Sequence, residues 1–261
     1  MSGRLREIAR QTVEIAEAGH YTHPDFGRRQ LAPMGETRHY VPGTPVTLAG
    51  ERNPAPSIEV THESTLQAAA RAGDRAVCLN FASAKNPGGG FLGGAEAQEE
   101  SLARASSLYL SLLKAPEFYA FHRAQRDLRY SDRVIYSQNV SVFRNDKGAL
   151  LEEPYVTSFL TSAAPNLGAI LRNQPDFADS VPEVLHRRAI RVLEVAAAHG
   201  HRTVVLGAWG CGVFRNDPAV VAEAFREALK EVDRFDHVIF AIYDHLSGTP
   251  VYQAFAEAFR P

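Results

Sequence analysis

The segment NPGGGFLGGAEAQEES, residues 86–101, combines the residue types in this chain that are best suited to chemistry. Three consecutive glycines at 88–90 are followed, after a seven-residue spacer, by Gln98, Glu99 and Glu100. Glycine runs are costly to order, and adjacent carboxylates repel each other, so their combination indicates a specific task. A carboxyl group that reaches into a cleft can exchange a proton with a ligand or bind its hydroxyl groups.

Both glutamates are predicted to lie in the first turn of a helix that begins at Gln98. The helix dipole stabilises negative charge there. Adjacent helical residues point about 100° apart, so one glutamate could enter a cleft while the other orients it or binds a neighbouring hydroxyl. Acidic residues also occur in first helical turns for the dipole alone, which is the alternative. The neighbouring glycines favour the functional interpretation.

A second glycine-rich segment, GAWGCGVFRNDP, spans residues 207–218. Asp217 is a plausible N-cap and Pro218 a good first residue of a helix, so free N–H groups and the positive end of the dipole would face the loop. Its glycines would let the backbone approach a phosphate or diphosphate; they are Gly207, Gly210 and Gly212. Arg215 replaces the third glycine of a GxGxxG motif, and no Gly-Lys-Ser/Thr follows. Simple chain reversal remains the alternative.

Other reactive residue types give weaker signals. Helix-end N–H groups could lower the pKa of Cys211, although a cysteine can also be a small loop filler. The pair Asp244-His245 could line a cleft or cap a strand. His20 and His23 suggest no metal set, and we expect neither a metal nor a cofactor.

The elements that position these residues alternate along the chain. Helices are predicted over 3–18, 63–72, 98–113, 181–199, 218–231 and 250–259, and strands over 57–61, 76–82, 133–143, 155–163, 203–207 and 237–244. The run AVCLNFA is interpreted as a continuous apolar strand, as in parallel strands covered on both faces. This alternation predicts a three-layer α/β/α fold. Both glycine-rich loops follow buried strands, and ligands bind at such carboxyl ends.

The chain is predicted to form one large domain with an N-terminal extension. Residues 1–56 comprise the helix over 3–18, ended by Gly19, and a Pro-, Gly- and His-rich segment with a hairpin around 41–43. We expect this extension to pack on a catalytic domain over 57–261.

Composition excludes several classes of protein. The net charge of −2 gives no basic field for nucleic acid. Two distant cysteines, Cys78 and Cys211, offer neither a disulfide framework nor zinc spacing. No apolar run is long enough to span a bilayer, and the first residues lack the apolar core of a signal peptide. We therefore expect a cytoplasmic protein without membrane contact.

These motifs resemble those of the poly(ADP-ribose) glycohydrolases. The glycines at 88–90, the spacer and the Gln-Glu-Glu at 98–100 match the signature of that family. The segment GAWGCGVFRND is similar to the diphosphate-binding loop of the bacterial-type members, and LNFASAKNPGGG is similar to their strand-to-loop entry. The likeness runs from about residue 57 to the C-terminus, and the N-terminal helix also resembles that of the bacterial group.

The resemblance implies a macrodomain-like fold with a mixed central sheet, and ADP-ribose as ligand. It implies that Glu100 is catalytic, that Glu99 positions a ribose, and that Phe214 presses the distal ribose toward Glu100. Asn86 and Gln98 would help to fix that ribose and the loop. The full set of expected ligand-binding residues is Asn86, Gly88, Gly89, Gly90, Gln98, Gly207, Gly210, Cys211, Gly212, Val213, Phe214 and Tyr243. Tyr243 is included as a stacking partner for adenine.

The implied reaction is hydrolysis of ribose–ribose O-glycosidic bonds in poly(ADP-ribose), with Glu100 as general acid and base and ADP-ribose as product. ADP-ribosylated protein is the other implied form of substrate. The implied setting is reversal of ADP-ribosylation in a DNA damage response, by a monomer. A macrodomain that binds ADP-ribose without cutting it, and a mono-ADP-ribosyl hydrolase, are the alternatives. Residues 1–56 could cap the adenosine end of the ligand or leave it open for internal cuts.

Overall fold

The computed structural model describes residues 3–260, and a seven-stranded mixed sheet lies at its centre. The strands of the described residues are β1 (His20–His23), β2 (Gly27–Gln30), β3 (Thr37–Tyr40), β4 (Ser57–Thr61), β5 (Ala76–Phe81), β6 (Val134–Arg144), β7 (Leu150–Ser162), β8 (Thr203–Leu206) and β9 (His237–Ala241). Strands β1 and β2 form a separate two-stranded sheet, and the other seven form the central sheet. The sheet order is β3-β6-β7-β5-β8-β9-β4. Strands β7, β5, β8, β9 and β4 run parallel, and β6 is antiparallel to both of its neighbours.

Helices cover both faces of the sheet. They are α1 (Gly3–Ala18), α2 (Thr65–Ala72), α3 (Gln98–Ala105), α4 (Leu108–Leu112), α5 (Pro116–Ala124), α6 (Leu167–Asn173), α7 (Val181–Ala198), α8 (Pro218–Glu231) and α9 (Pro250–Ala258), with short 3₁₀ helices at Phe91–Gly93 and Pro175–Ser180. Side chains of α6 to α9 form one hydrophobic core with the sheet, and those of α2 to α5 form another. The predicted three-layer α/β/α fold with a mixed sheet is confirmed.

The positions of its side chains explain why β5 is apolar at every position except Asn80. Val77 and Leu79 point into the core under α7 and α8, whereas Cys78 points into the core under α2 and α3. A strand buried on both faces cannot alternate apolar with polar residues. Strands β5, β7 and β8 are adjacent and parallel, so the loops that leave their carboxyl ends meet at one edge of the sheet.

The helix predicted over 98–113 is wrong in its extent, because it is two helices. Ser106 is extended, with φ of −146°, and bridges to Val142 of β6. Its hydroxyl donates to Leu102 O at 2.7 Å and accepts from Leu108 N at 3.2 Å. Serine side chains compete in this way with helical hydrogen bonds. Helices α5 and α6 and the first part of β7 were not predicted.

The hairpin predicted around 41–43 is also wrong. The hairpin lies earlier, where β1 pairs with β2 and His23 faces Gly27. Residues 41–43 form only a turn, in which Thr44 N donates to Val41 O at 3.2 Å. Pro45 lacks the N–H that a returning strand would need, and the preceding strand β3 pairs with β6 instead. The division into domains at residue 56 stays a prediction.

Candidate active site

A cavity of about 580 Å³ opens at the carboxyl edge of the parallel strands. Its walls come from the end of β5 and the following loop (81–86), the start of α3 (96–100), Tyr130, Ala164 and the second glycine-rich loop (208–214). The two loops singled out in the sequence therefore face each other across one space. None of the described residues in 3–56 lines it.

Gln98 attaches the start of α3 to the end of β5. Its Oε1 accepts from Phe81 N at 2.8 Å, and its Nε2 donates to Leu79 O at 2.8 Å and to Thr65 Oγ1 at 3.2 Å. The side chain thus continues the hydrogen bonding of the strand beyond the sheet ladder. This attachment sets the position of the two glutamates that follow.

Glu99 points into the protein, with only 2% of its surface exposed. Its Oε2 accepts from Ser83 N at 2.5 Å, and its Oε1 accepts from Asn80 Nδ2 at 3.2 Å. Burial raises the pKa of Glu99 to about 8, although its bonds to Ser83 and Asn80 oppose the shift and the charge of Glu100 adds to it. Glu99 is therefore largely protonated at neutral pH, which relieves the repulsion between adjacent carboxylates.

Glu100 is half-buried and lines the cavity. Its Oε1 accepts from Gly90 N at 2.9 Å. Gly89 has φ of +60°, and a Cβ there would overlap Glu100 Oε1 and lie 2.8 Å from Glu100 Cδ. Gly88 has φ of +68°, and a Cβ there would lie 2.9 Å from the ring of Phe91. The glycine run is required because the Glu100 carboxylate rests on its backbone.

The second loop has the predicted helix start. Asp217 accepts from Ala219 N at 2.8 Å and caps α8, and Pro218 is the first helical residue. Gly210 has φ of +74°, and a Cβ there would lie 2.7 Å from Ala164 Cβ. Gly212 has open space around it, so this part of the backbone is accessible to a ligand.

Phe214 and Tyr130 form the wall on the side of the second loop. Their ring centroids lie 6.1 Å apart, and both line the cavity. Tyr130 has φ of +62°, a backbone conformation that is rare for a residue with a side chain. Val213, at the tip of the loop, is 82% exposed and also lines the cavity.

The cavity lining includes eight of the predicted site residues and leaves out six. Those included are Asn86, Gln98, Glu99, Glu100, Gly210, Gly212, Val213 and Phe214, and those left out are Gly88, Gly89, Gly90, Gly207, Cys211 and Tyr243. Gly89 and Gly90 lie against the Glu100 carboxylate, whereas Gly88 lies against Phe91 and Ala103. At Gly207 a Cβ would lie 2.8 Å from Ala241 O, so this glycine permits close packing of two strand ends.

Cys211 and the residues that follow β9 have surroundings that the sequence did not predict. Burial raises the pKa of Cys211 to about 12, with the charge of Asp217 adding to the rise, so the loop filler is the alternative that the structure favours over a lowered pKa. Its side chain packs against the core as a filler. Tyr243 is 59% exposed beside His245, outside the cavity lining. Asp244 caps α9 by accepting from Val251 N at 2.8 Å.

Several residues of the site were missed. Asn80 is the only polar residue in the run AVCLNFA, and this single polar position could have identified it as a residue of the site. Its Nδ2 also donates to Thr161 Oγ1 at 3.1 Å, so it joins β7 to Glu99. Trp209 lines the cavity and donates from Nε1 to Ser162 O at 3.0 Å. Ser83 and Tyr130 had no local signal, because tertiary contacts place them.

Residues 3–260 contain neither a metal-binding cluster nor a membrane-spanning helix. No group of three or more His, Cys, Asp and Glu side chains is arranged to hold a metal ion. No helix of this part of the chain is long and apolar enough to cross a membrane.

A family model and several solved structures match this chain. Residues 9–145 match the family model for the catalytic domain of microbial-type PARG. A search of curated proteins finds no match. The crystal structure of poly(ADP-ribose) glycohydrolase from Thermomonospora curvata is 50% identical, with a TM-score of 0.91, over 99% of this chain and 100% of that one.

Two ligand complexes are also similar. The Thermomonospora curvata enzyme bound to the inhibitor ADP-HPD is 48% identical, with a TM-score of 0.88, over 99% of this chain and 100% of that one. The poly(ADP-ribose) glycohydrolase from Deinococcus radiodurans in complex with ADP-ribose is 48% identical, with a TM-score of 0.76, over 78% of this chain and 84% of that one.

Replacing Glu99 by Gln should change how the free energy of unfolding depends on pH. The pKa of Glu99 rises from 4.5 to about 8 on folding, so its contribution to stability is complete below the lower value and is lost as pH rises through the higher one. Glutamine does not titrate. Urea unfolding at about pH 5 and about pH 9 should show that wild type loses several kcal/mol more than Glu99→Gln.

The matched control for this experiment is Glu117→Gln, at an exposed glutamate in the first turn of α5. It should keep the pH dependence of the wild type. Equal pH dependence in wild type and Glu99→Gln would show that Glu99 is already ionised in the folded protein at pH 5, contrary to this account.

Proposed function

The chain belongs to the family of microbial-type PARG catalytic domains, and we propose that it cleaves ribose–ribose O-glycosidic bonds in poly(ADP-ribose) and releases ADP-ribose. One observation carries the proposal. A carboxylate held on a glycine backbone faces a glycine-rich loop at a helix N-terminus, across a cavity of about 580 Å³. The carboxylate suits a glycosidic bond, and the loop suits a diphosphate.

The ligand would lie along the carboxyl edge of the sheet. The diphosphate would contact the backbone of 208–213, where Gly210 and Gly212 let it approach. The distal ribose would lie between Phe214 and Glu100, which line the same cavity. Asn86 is exposed and lines the cavity near Glu100, where its amide could bind a ribose hydroxyl.

Glu100 would perform both proton transfers. In the first step the protonated form of the Glu100 carboxyl group donates its proton to the oxygen of the leaving ribose as the C–O bond breaks, and the distal ribose gains oxocarbenium character. In the second step it accepts a proton from the water that attacks the same carbon, which restores its starting state. The bound diphosphate would stabilise the positive charge on the sugar.

Glu99 would act differently from the second carboxylate of most glycosidases. Those enzymes use two separated carboxyl groups on either side of the bond. Here Glu99 is bound to Ser83 N and Asn80, and its carboxyl group is largely protonated near neutral pH. It would therefore hold the loop after β5 against α3 and shape the ribose site, while Glu100 carries the proton chemistry.

A cytoplasmic location, a monomeric state and a role in the DNA damage response stay predictions from the sequence. No cofactor is needed for the proposed reaction, since proton transfer and electrostatic stabilisation account for each step.

Replacing Glu100 by Gln should abolish release of ADP-ribose from poly(ADP-ribose) while binding of ADP-ribose remains. The amide keeps the size of the side chain but cannot exchange the proton, so kcat should fall by about 10³-fold. The Kd for ADP-ribose, measured by calorimetry, should stay within about threefold of wild type. Glu117→Gln should behave as wild type. Activity of the Glu100 variant close to wild type would refute the catalytic role of Glu100. Absence of hydrolysis by the wild type would favour the alternative, a domain that binds ADP-ribose without cutting it.

Replacing Gly89 by Ala should reduce kcat by about 10²-fold, because the new Cβ displaces the Glu100 carboxylate and the backbone there has φ of +60°. Gly93→Ala is the matched control in the same loop, since a Cβ at Gly93 meets nothing within 4 Å. Steady-state kinetics of both variants provide the test. Equal kcat values for the two alanine variants would show that the contact between Gly89 and Glu100 is not needed.

A further inference from the structure

Arg104 is a buried cation beside the active site that the mechanism does not use. It lies on α3, one turn after Glu100, and only 7% of its surface is exposed. Burial lowers the pKa of Arg104, whereas the charges of Glu96 and Glu100 raise it. Burying a cation is costly unless it is hydrogen-bonded, so its position needs a structural reason.

The guanidinium group binds backbone carbonyls of the loop that carries the glycines. Its Nη2 donates to Ala95 O at 3.0 Å, and its Nη1 makes a longer contact with Phe91 O at 3.5 Å. Phe91 follows Gly90, whose N–H binds the Glu100 carboxylate. Ala95 N in turn donates to Gly90 O at 3.2 Å. Glu100 and Arg104 both lie on α3, and both bind the backbone of the loop. Glu100 accepts from Gly90 N, and Arg104 donates to the carbonyls of Phe91 and Ala95, so the two side chains hold the segment 90–95 against the helix.

The N-terminal helix holds Arg104 from the other side. Thr12 of α1 is 1% exposed, and its Oγ1 donates to Arg104 O at 2.7 Å. The same Oγ1 accepts from Arg144 Nε of β6 at 3.0 Å. Ala9 packs in a small cluster with Phe91 and Ala103, so α1 covers the outer side of the loop. This arrangement connects α1 with the glycine-rich loop although α1 does not line the cavity.

We propose that Arg104 and Thr12 are positioning residues for the reaction, which hold the segment 91–95 so that Gly90 N stays on the Glu100 carboxylate. The inference rests on the proposed function. Arginine is required because its planar fork can reach two carbonyls, which a lysine ammonium on a flexible stem does not reproduce. The N-terminal helix thereby serves catalysis from outside the cavity, because it supports the segment 91–95.

Four variants test this role. Thr12→Val removes the hydroxyl and leaves Arg104 O and Arg144 Nε without a partner, and Arg104→Lys keeps the charge but loses the fork. We expect kcat to fall about 10-fold in the first variant and about 10²-fold in the second, with KM and the Kd for ADP-ribose within about threefold of wild type. Thr12→Ser keeps the hydroxyl and should restore kcat. Arg10→Met, on the exposed face of α1, should leave kcat unchanged.

Hydrogen exchange provides a readout that does not depend on activity. Amide exchange over residues 86–97 should become faster in Thr12→Val and Arg104→Lys, and should stay as in wild type in Thr12→Ser and Arg10→Met. Such a result would support the inference even if the wild type released no ADP-ribose, which would overturn the proposed function alone.

Three outcomes would overturn the inference. The first is unchanged kcat in folded Thr12→Val and Arg104→Lys. The second is a loss of kcat in Thr12→Ser equal to that in Thr12→Val, which would remove the hydroxyl as the cause. The third is unchanged exchange over 86–97 in both test variants. If Arg104→Lys does not fold, the Thr12→Val and Thr12→Ser pair decides the question.

Discussion

The Glu100 carboxylate lies on bare backbone, with its Oε1 accepting from Gly90 N and filling the space where Gly89 would carry a Cβ. The surrounding structure serves this contact. It requires left-handed backbone at Gly88 and Gly89, which only glycine adopts without strain. It also requires that α3 begin at a fixed point, which the bonds of Gln98 to β5 provide. The backbone of this loop thus has the conformation that binds one carboxylate, that of Glu100.

The adjacent glutamates can coexist because the helix sends them into different surroundings. Glu99 enters the protein, where Ser83 N and Asn80 bind it and burial keeps it largely protonated. Glu100 enters the cavity, where a ligand can reach it. In the proposed mechanism Glu99 holds the loop in place and Glu100 exchanges the proton.

Local signals predicted a large part of this arrangement. The apolar run of β5 predicted a buried parallel strand, and Asp217-Pro218 predicted the start of α8, because both depend on neighbours in the sequence. Contacts between distant segments were not predictable in this way. The break at Ser106 depends on a bridge to β6, and the hydrogen bond from Thr12 to Arg104 O joins residues that are 92 positions apart in the sequence. Only the packed chain brings these groups together.

A crystal structure of the protein with ADP-ribose bound would test the central claim most directly. We predict that the distal ribose lies between Phe214 and Glu100, with the anomeric hydroxyl within about 3 Å of the Glu100 carboxylate. We also expect the diphosphate on the backbone of 208–213 and Glu99 still bound to Ser83 N. A ribose beyond hydrogen-bond reach of Glu100, or one contacted by Glu99 in its place, would contradict the proposed role of Glu100.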